Sequence, residues 1–202
     1  MIALIDYGAG NLTSVRKGFA AAGAELFTPA GPSELSSATG IVVPGVGHFA
    51  ATAALDGPWT EAIRGAMVRG TPLLGICLGM QWLFDGSDEA PGVAGLGAIG
   101  GVCSRLPRDE GGALKVPHVG WNSLHAPRPS RLLEGVRDGS QVYFTHSYAA
   151  PVTQQSVATC THGAEFAAAV ETGDVFGVQF HPEKSSDAGI RILRNFVRLV
   201  QT

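Results

Sequence analysis

The sequence predicts an α/β fold, a three-layer sandwich in which a mostly parallel central sheet is extended by antiparallel strands. Short apolar runs alternate with helix-compatible segments through residues 1–84, which is typical of a parallel sheet with helices on both faces. Several short strand candidates with little helix between them follow in residues 102–180, which favours an antiparallel or mixed extension. The 202 residues are 45% hydrophobic and contain no linker-like stretch. A single domain over residues 1–202 is therefore expected.

The first half of the chain begins with a strand at Ile2–Ile5. Asn11 is placed to cap a helix that has one apolar face and ends at Gly23. The same patterns predict, in order, a strand at Glu25–Thr28, a helix-like segment, a strand from Ile41 with its loop, a helix at Trp59–Arg69, a strand at Leu73–Ile76 and a helix at Leu78–Phe84.

The second half begins with the glycine-rich stretch Gly86–Gly101, which predicts a long loop. Short β-compatible runs predict strands at Val102–Leu106, Gln141–Ala149, Ser156–Thr161, Phe166–Val170 and Val175–Phe180. Ala188–Val200 closes the chain as an amphipathic helix. Its inward positions are Ile190, Leu193, Val197 and Val200, and its outward positions are Arg191, Arg194 and Arg198.

Composition argues against several classes of protein. The net charge is −3 and the 14 basic residues form no long run, so no nucleic-acid partner is expected. Three cysteines without paired spacing do not predict a disulfide framework. Leu35–Leu55 lacks charged residues, but Pro44 and several glycines make it a poor membrane span. No basic leader precedes the first strand. We therefore expect a cytoplasmic protein with no membrane partner.

A Gly-x-Gly pair, Gly8 and Gly10, follows the first strand and hints at a dinucleotide-binding fingerprint. The third glycine position holds Thr13, and the acidic residue that should close the second strand is missing. A tight turn between strand and helix explains the pair better.

The central motif is Gly75-x-Cys77-x-Gly79, which lies between an apolar strand and a predicted helix. It is the thiol counterpart of the Gly-x-Ser-x-Gly nucleophile elbow. A helix N-terminus favours the thiolate, and the N–H of Leu78 would be free to face an oxyanion. The alternative for Cys77 is a buried structural cysteine.

His181 and Glu183 follow the last strand and are separated by Pro182. In an extended segment they project to the same side, so the carboxylate can orient the imidazole and the imidazole can accept a thiol proton. With Cys77 they would form a hydrolytic triad. A surface His-Pro-Glu turn is the alternative. The other histidines show no metal-ligand spacing, so no metal site is expected.

The segments Gly75–Gln81 and Gln179–Glu183 resemble those of the class I, or triad, glutamine amidotransferases, whose fold is flavodoxin-like. Three further segments, Asp6–Asn11, Val116–Asn122 and His181–Ser185, resemble those of the glutaminase subunits of imidazole glycerol phosphate synthases. The resemblance extends from Ile2 to the final helix and covers essentially the whole chain.

The resemblance implies a mechanism that needs no cofactor. Cys77 would attack the side-chain amide of glutamine to give a glutamyl thioester and ammonia. His181 would accept the thiol proton, protonate the leaving amine and then activate water, while Glu183 would orient His181. The amides of Val46 and Leu78 would form the oxyanion hole. This assignment agrees with the glycines at 45 and 47, which allow backbone N–H groups to turn toward a bound group.

The resemblance also implies a set of residues that hold glutamine, namely Gly47, Gln81, His146, Ser147 and Tyr148. The alternative for Gln81 is a polar residue on an exposed helix face, and the alternative for Tyr148 is packing within a sheet. Ala149–Ala150 departs from the family pattern, in which a bulkier residue is expected after Tyr148.

The implied partner is a (β/α)₈ cyclase that uses the ammonia to make imidazole glycerol phosphate and aminoimidazole carboxamide ribotide, so a heterodimer is expected. Asn11, Trp121, Asn122 and Lys184 match positions that face this partner, although Trp121 could instead be a core residue. The resemblance further implies that the isolated subunit is a poor glutaminase. The remaining alternatives are a glutaminase for another synthase, such as that for anthranilate or pyridoxal phosphate, and a non-catalytic nucleotide-binding module.

Overall fold

The computed structural model describes residues 1–108, 115–125 and 128–201. The α-helices in these ranges are α1 (Leu12–Ala21), α2 (Pro58–Val68), α3 (Leu78–Trp82) and α4 (Ser186–Gln201). The strands are β1 (Ile2–Leu4), β2 (Leu26–Phe27), β3 (Gly40–Val43), β4 (Leu73–Ile76), β5 (Gly86–Ser87), β6 (Val102–Arg105), β7 (His118–Ser123), β8 (Gln141–His146), β9 (Tyr148–Ala149), β10 (Ser156–His162), β11 (Ala164–Thr172) and β12 (Val175–Val178). Short 3₁₀ turns span Pro32–Ser37, Phe49–Leu55 and Pro182–Lys184.

The central sheet has the strand order β10-β11-β12-β4-β3-β1-β2. Neighbouring strands from β12 to β2 run parallel, and β10 and β11 extend the sheet antiparallel at one edge. The predicted fold class is therefore confirmed. Because Val178 pairs with Ile76, the chain leaves β12 and β4 at the same level. Cys77 and the segment that contains His181 consequently emerge side by side.

Helices cover both faces of the sheet because its central strands are buried at successive positions, so apolar side chains project from both faces. One face packs against α1 and α4, where Phe19 and Phe196 meet edge to face. The other face packs against α2 through Ile63 and Ala66. These two layers and the sheet between them make the three-layer sandwich.

Three parts of the second half differ from the predicted elements, and one is the predicted loop Gly86–Gly101, whose first two residues form β5. Gln141–Ala149 forms two strands, because the chain pairs with β7 up to His146 and then with β6 from Tyr148. The strand β7 was not predicted; its Gly120 and Asn122 belong to residue types that are depleted in strands. Its pairing with β8 creates it, and that pairing is a long-range contact.

None of the helices in the described ranges is both long enough and apolar enough to cross a bilayer. Within the stretch Leu35–Leu55, the structure has the end of one 3₁₀ turn, the strand β3 and the whole of a second 3₁₀ turn.

Candidate active site

Cys77 lies at the apex of the turn from β4 into α3, with φ 54° and ψ −107°. A residue other than glycine in this region stores about 1–3 kcal/mol of strain. The packing explains the flanking glycines, because a Cβ on Gly79 would lie 1.8 Å from the Val43 oxygen and one on Gly75 would lie 2.6 Å from the Gly79 oxygen. The Cys77 N–H donates to the Val178 oxygen at 2.8 Å and ties the apex to β12.

His181 and Glu183 form a buried pair beside this apex. The distance from His181 Nδ1 to Glu183 Oε1 is 3.0 Å, and the two side chains are 4% and 3% exposed. Glu183 belongs to the single 3₁₀ turn Pro182–Lys184, so the expectation of a fully extended segment is wrong. The expected contact between His181 and Glu183 is nevertheless present. The His181 N–H donates to the Tyr143 oxygen at 2.8 Å. The alternative of a surface turn does not hold.

The electrostatics of His181 connect it to the thiol. Burial lowers the pKa of this histidine, but interactions with the Cys77 sulfur and with the Glu183 carboxylate outweigh burial and raise the pKa to about 10. No hydrogen bond of ordinary geometry reaches His181 Nε2 among the described residues. Since Glu183 occupies Nδ1, Nε2 is the ring nitrogen that can exchange a proton with the thiol.

The two backbone amides assigned to the oxyanion hole do not converge in this structure. The Leu78 N–H donates to the Gly45 oxygen at 3.3 Å. The Gly45 carbonyl and the Val46 N–H belong to one trans peptide and point in opposite directions, so the Val46 N–H points away from Leu78. The first amides of a helix have no acceptor within the helix, so the Leu78 N–H bonds instead to the Gly45 carbonyl of the neighbouring loop.

A cavity of about 260 Å³ opens above the thiol. Its lining comprises Gly47, Cys77, Leu78, Gln81, Glu89, Pro117, Thr145, His146, Ser147 and Tyr148. All five residues predicted to hold glutamine are among them. Gln81 is only 4% exposed, so the alternative of an exposed helix face does not hold.

Sequence reasoning missed Glu89. This residue lies in the glycine-rich loop and is the acidic side chain among the described residues that line the cavity. Its Oε2 accepts the Phe49 N–H at 2.8 Å, which holds the carboxylate in place. A carboxylate here matches a cationic group on a bound molecule. Nothing local in the sequence distinguishes this acid from its neighbour Asp88.

Sequence reasoning also missed Gln179, which is fully buried directly after β12. Its Nε2 donates to Cys77 Sγ at 3.6 Å, and its Oε1 accepts from Gln81 Nε2 at 3.0 Å. The sequence feature that could have identified it is a single glutamine between the apolar residues Val178 and Phe180. A buried polar side chain at the end of an apolar strand needs a partner.

His146 is part of a buried histidine pair beside the cavity. Its Nδ1 bonds to the Tyr148 oxygen at 2.9 Å, and its Nε2 bonds to His118 Nδ1 at 3.1 Å. Burial lowers the pKa of His118 to about 4, and burial together with neighbouring histidines lowers the pKa of His146 to about 3. Both rings are therefore neutral near pH 7 and act as fixed hydrogen-bonding groups.

The residues expected to face a partner lie outside the cavity. Trp121 is 53% exposed, so the alternative of a core residue does not hold. Its ring meets Tyr143 edge to face at 6.1 Å, and Lys184 Nζ lies 5.7 Å from the Tyr143 ring centre. Asn11 is exposed and its side chain caps α1 by accepting the Ser14 N–H at 3.0 Å.

Asn122 is half-buried and lies between the exposed Trp121 and the histidine pair. Its Nδ2 contacts His118 Nε2 at 3.3 Å and the Thr161 oxygen at 3.1 Å. Much of the Asn122 side chain's bonding capacity is thus used within the chain.

Comparisons with known proteins agree with this geometry. Residues 3–200 match the protein family described as Glutamine amidotransferase class-I. The chain is 47% identical to the imidazole glycerol phosphate synthase subunit HisH of Moorella thermoacetica over 204 residues, covering 99% of this chain and 95% of that protein. It is 45% identical to the subunit HisH of Methanothermobacter thermautotrophicus, with 100% of both chains covered.

Solved structures show the same fold at low sequence identity. A crystal structure of a glutamine amidotransferase superimposes with a TM-score of 0.77 at 17% identity and covers 100% of both chains. The structure of PurLQS from Thermotoga maritima gives a TM-score of 0.75 at 18% identity, covering 98% of this chain and 97% of that one.

Proposed function

The chain belongs to the glutamine amidotransferase class-I family and is a glutamine-hydrolysing subunit of the imidazole glycerol phosphate synthase type, which serves histidine biosynthesis; from that premise we propose that Cys77, His181 and Glu183 are its catalytic residues. The observation that carries the assignment is the buried His181–Glu183 pair, held at 3.0 Å beside the strained cysteine that lines the cavity. We assign this role to one domain over residues 1–202, acting in the cytoplasm.

The geometry supports a two-step acyl transfer. His181 Nε2 takes the proton of the Cys77 thiol, and the thiolate attacks the side-chain amide carbon of glutamine. The C–N bond then breaks, and the imidazolium protonates the leaving nitrogen to give ammonia. In the second step His181 takes a proton from water, the hydroxide attacks the thioester carbon, and the C–S bond breaks to give glutamate and the thiol. Glu183 stabilises the imidazolium in both steps.

Recognition of glutamine follows from the lining of the cavity. Glu89 binds the α-ammonium group, since its carboxylate is fixed and faces the same cavity as the thiol. Gly47, Gln81, His146, Ser147 and Tyr148 form the surrounding wall.

The oxyanion hole requires a rotation of the Gly45–Val46 peptide. At present the Gly45 oxygen occupies the Leu78 N–H, and a negatively charged oxygen cannot share that donor with a carbonyl. Turning the peptide would release Leu78 and bring the Val46 N–H to the same side. A missing oxyanion donor costs about 3 kcal/mol of barrier, so the chain by itself is a poor glutaminase.

We assign the activating role to a (β/α)₈ cyclase that docks on the surface formed by Asn11, Trp121, Asn122 and Lys184 and receives the ammonia. The exposed face of Trp121 and the cation at Lys184 suit an interface anchor. The relatives named above are called subunits, which agrees with a function that needs a second chain. Glutamate release should rise by at least tenfold when a cyclase of this type is added. Equal turnover with and without the cyclase would contradict this assignment.

The decisive experiment replaces the nucleophile. In complex with the cyclase, Cys77→Ala should abolish glutamine-dependent synthesis and leave synthesis from free ammonia intact, because only the ammonia supply is removed. Both rates are measured as formation of imidazole glycerol phosphate. Cys160→Ala, a buried cysteine on β10 away from the cavity, serves as the control and should retain both. Glutamine-dependent synthesis by Cys77→Ala would overturn the assignment, whereas loss of both activities would indicate misfolding.

A further inference from the structure

A continuous set of hydrogen bonds reaches the Cys77 sulfur through the side chain of Gln179. The Gln179 side chain is fully buried, and its backbone N–H donates to the Ala168 oxygen at 2.9 Å on the neighbouring strand. Its amide group has two partners, Gln81 on one side and Cys77 Sγ on the other. The triad chemistry described above makes no use of this buried amide.

The orientation of the Gln179 amide follows from its neighbours. A backbone carbonyl can only accept, so Gln81 must present Nε2 to the Tyr148 oxygen, at 2.7 Å. The same Nε2 lies 3.0 Å from the Gln179 side chain, which must therefore present its own oxygen to Gln81. The N–H₂ end of Gln179 consequently points at sulfur. The opposite orientation would place two donors against each other.

The Tyr148 carbonyl, where this series of hydrogen bonds begins, is itself held in place. The Tyr148 oxygen also accepts from His146 Nδ1 at 2.9 Å. His146 Nε2 then accepts from His118 Nδ1 at 3.1 Å, and His118 Nε2 accepts from Asn122 at 3.3 Å. Both rings are neutral, so this sequence of donors and acceptors is self-consistent. Because the donors and acceptors in this series can be arranged in only one order, the hydrogen bonds hold the Gln81 and Gln179 side chains rigidly.

We propose that Gln179 is a further catalytic residue, whose amide N–H stabilises the Cys77 thiolate while Gln81 holds that amide in orientation. A hydrogen bond to a charged acceptor is stronger than one to a neutral acceptor, so the bond favours the thiolate over the thiol. Gln179 donates to sulfur without transferring a proton, which leaves His181 as the proton acceptor. The proposal concerns the same nucleophile as the proposed function and rests on it.

The test measures how the thiol titrates, with no glutamine present. The rate at which iodoacetamide alkylates Cys77 is followed from pH 5 to 10 in the full chain, with peptide mass spectrometry to separate Cys77 from Cys103 and Cys160. Gln179→Met keeps the side-chain length and removes the donor. The midpoint of its profile should rise by about one pH unit, which makes alkylation about tenfold slower below the midpoint.

Two further variants make the result specific. Gln81→Met removes the group that orients Gln179 and should shift the midpoint in the same direction by a smaller amount. Gln154→Met, at an exposed glutamine outside the site, should leave it unchanged. Gln179→Glu replaces the amide by an acid of the same shape and should shift the midpoint upward at least as far as Gln179→Met, which keeps the test available if the methionine variant does not fold.

An unchanged midpoint in a folded Gln179 variant would overturn the proposal, even if that variant had a lower melting temperature, because a packing role affects stability and leaves the thiol titration alone. The measurement needs no turnover of glutamine. A shifted midpoint combined with failure of the Cys77→Ala experiment would therefore reject the glutaminase assignment while keeping the contact between Gln179 and sulfur.

Discussion

At the residue scale, three buried polar atoms of this site have no hydrogen-bond partner among the described residues: Tyr7 Oη, His181 Nε2 and Glu183 Oε2. His181 Nε2 exchanges a proton with the thiol in the proposed reaction, which explains why no other group bonds to it. The tyrosine hydroxyl lies against Gly45, since a Cβ on that glycine would come within 2.2 Å of it. Burial, with a smaller contribution from Cys77, raises the pKa of Tyr7, so the hydroxyl stays neutral and its desolvation is uncompensated.

Tyr7→Phe should therefore stabilise the isolated chain. Removing a buried hydroxyl that lacks a partner should raise the free energy of unfolding by about 1 kcal/mol. For a chain of this size, that corresponds to a rise of about 2–4 °C in Tm. Thermal unfolding followed by circular dichroism measures the change. Tyr143→Phe, at a half-buried tyrosine, is the matched control and should leave Tm unchanged. A lower Tm for Tyr7→Phe would mean that the hydroxyl makes a stabilising contact.

At the element scale, the site depends on how closely α3 approaches the sheet. The helix begins one residue after Cys77, and Gly79 in its first turn lies against the Val43 oxygen of β3. Because β4 and β12 pair in parallel, Gln179 and His181 follow β12 at the same end of the sheet at which Cys77 follows β4. The flanking glycines are thus a packing requirement, and the strained cysteine follows from the sharp turn that they permit.

Gly79→Ala should lower the free energy of unfolding by about 2 kcal/mol or more, because the new methyl group would overlap backbone that cannot move freely. Urea unfolding provides the measurement. Gly65→Ala is the matched substitution in α2, where a Cβ would meet only the end of the Arg69 side chain at 3.6 Å. It should instead add about 1 kcal/mol through helix propensity. An unchanged or higher free energy of unfolding for Gly79→Ala would show that α3 does not pack as described.

At the scale of the whole molecule, the central sheet positions Cys77, the proposed nucleophile, and the separate β7–β8 pair supplies one wall of the cavity. His118 on β7 and His146 on β8 face each other between these layers and must remain neutral to stay buried. Their pKa values, about 4 and about 3, lie below the ordinary value of 6.5. His181 has the opposite shift, to about 10.

These shifts predict a pH dependence of stability with two sides. Since His118 and His146 bind protons more readily when unfolded, their contribution is fully present above pH 6.5 and is lost as the pH falls toward 4 and 3. The contribution of His181 is fully present below pH 6.5 and is lost as the pH rises through 10. The free energy of unfolding should therefore decline on both sides of about pH 6.5.

His118→Phe isolates the acid side of this dependence. The phenyl ring cannot be protonated, so the variant should lose less unfolding free energy between pH 6.5 and 4.5 than the unsubstituted chain, whatever its stability at pH 7. Urea titrations at a series of pH values give both curves. Parallel curves would show that His118 does not cause the acid destabilisation.

Local patterns in the sequence were sufficient for part of this site. The strand before Cys77, the helix after it and the glycines on either side are encoded within about ten residues, and the cap at Asn11 is read in the same way. The pairing of His181 with Glu183 also followed from close spacing, although the backbone between them turned out to be a 3₁₀ turn. The fold class followed from the order of such local units.

Contacts between distant residues decided the rest. The strand β7 exists because β8 pairs with it, Glu89 acquires its place because Phe49 holds its carboxylate, and Gln179 faces sulfur because Gln81 and Tyr148 orient it. The Gly45 oxygen occupies the Leu78 N–H, one of the two proposed oxyanion donors, through a contact between residues 33 positions apart. The sequence by itself determined which reactive groups are present and in which local elements they lie. Only the tertiary structure decided which of them touch, since that depends on long-range packing and on polar groups that must find partners once buried.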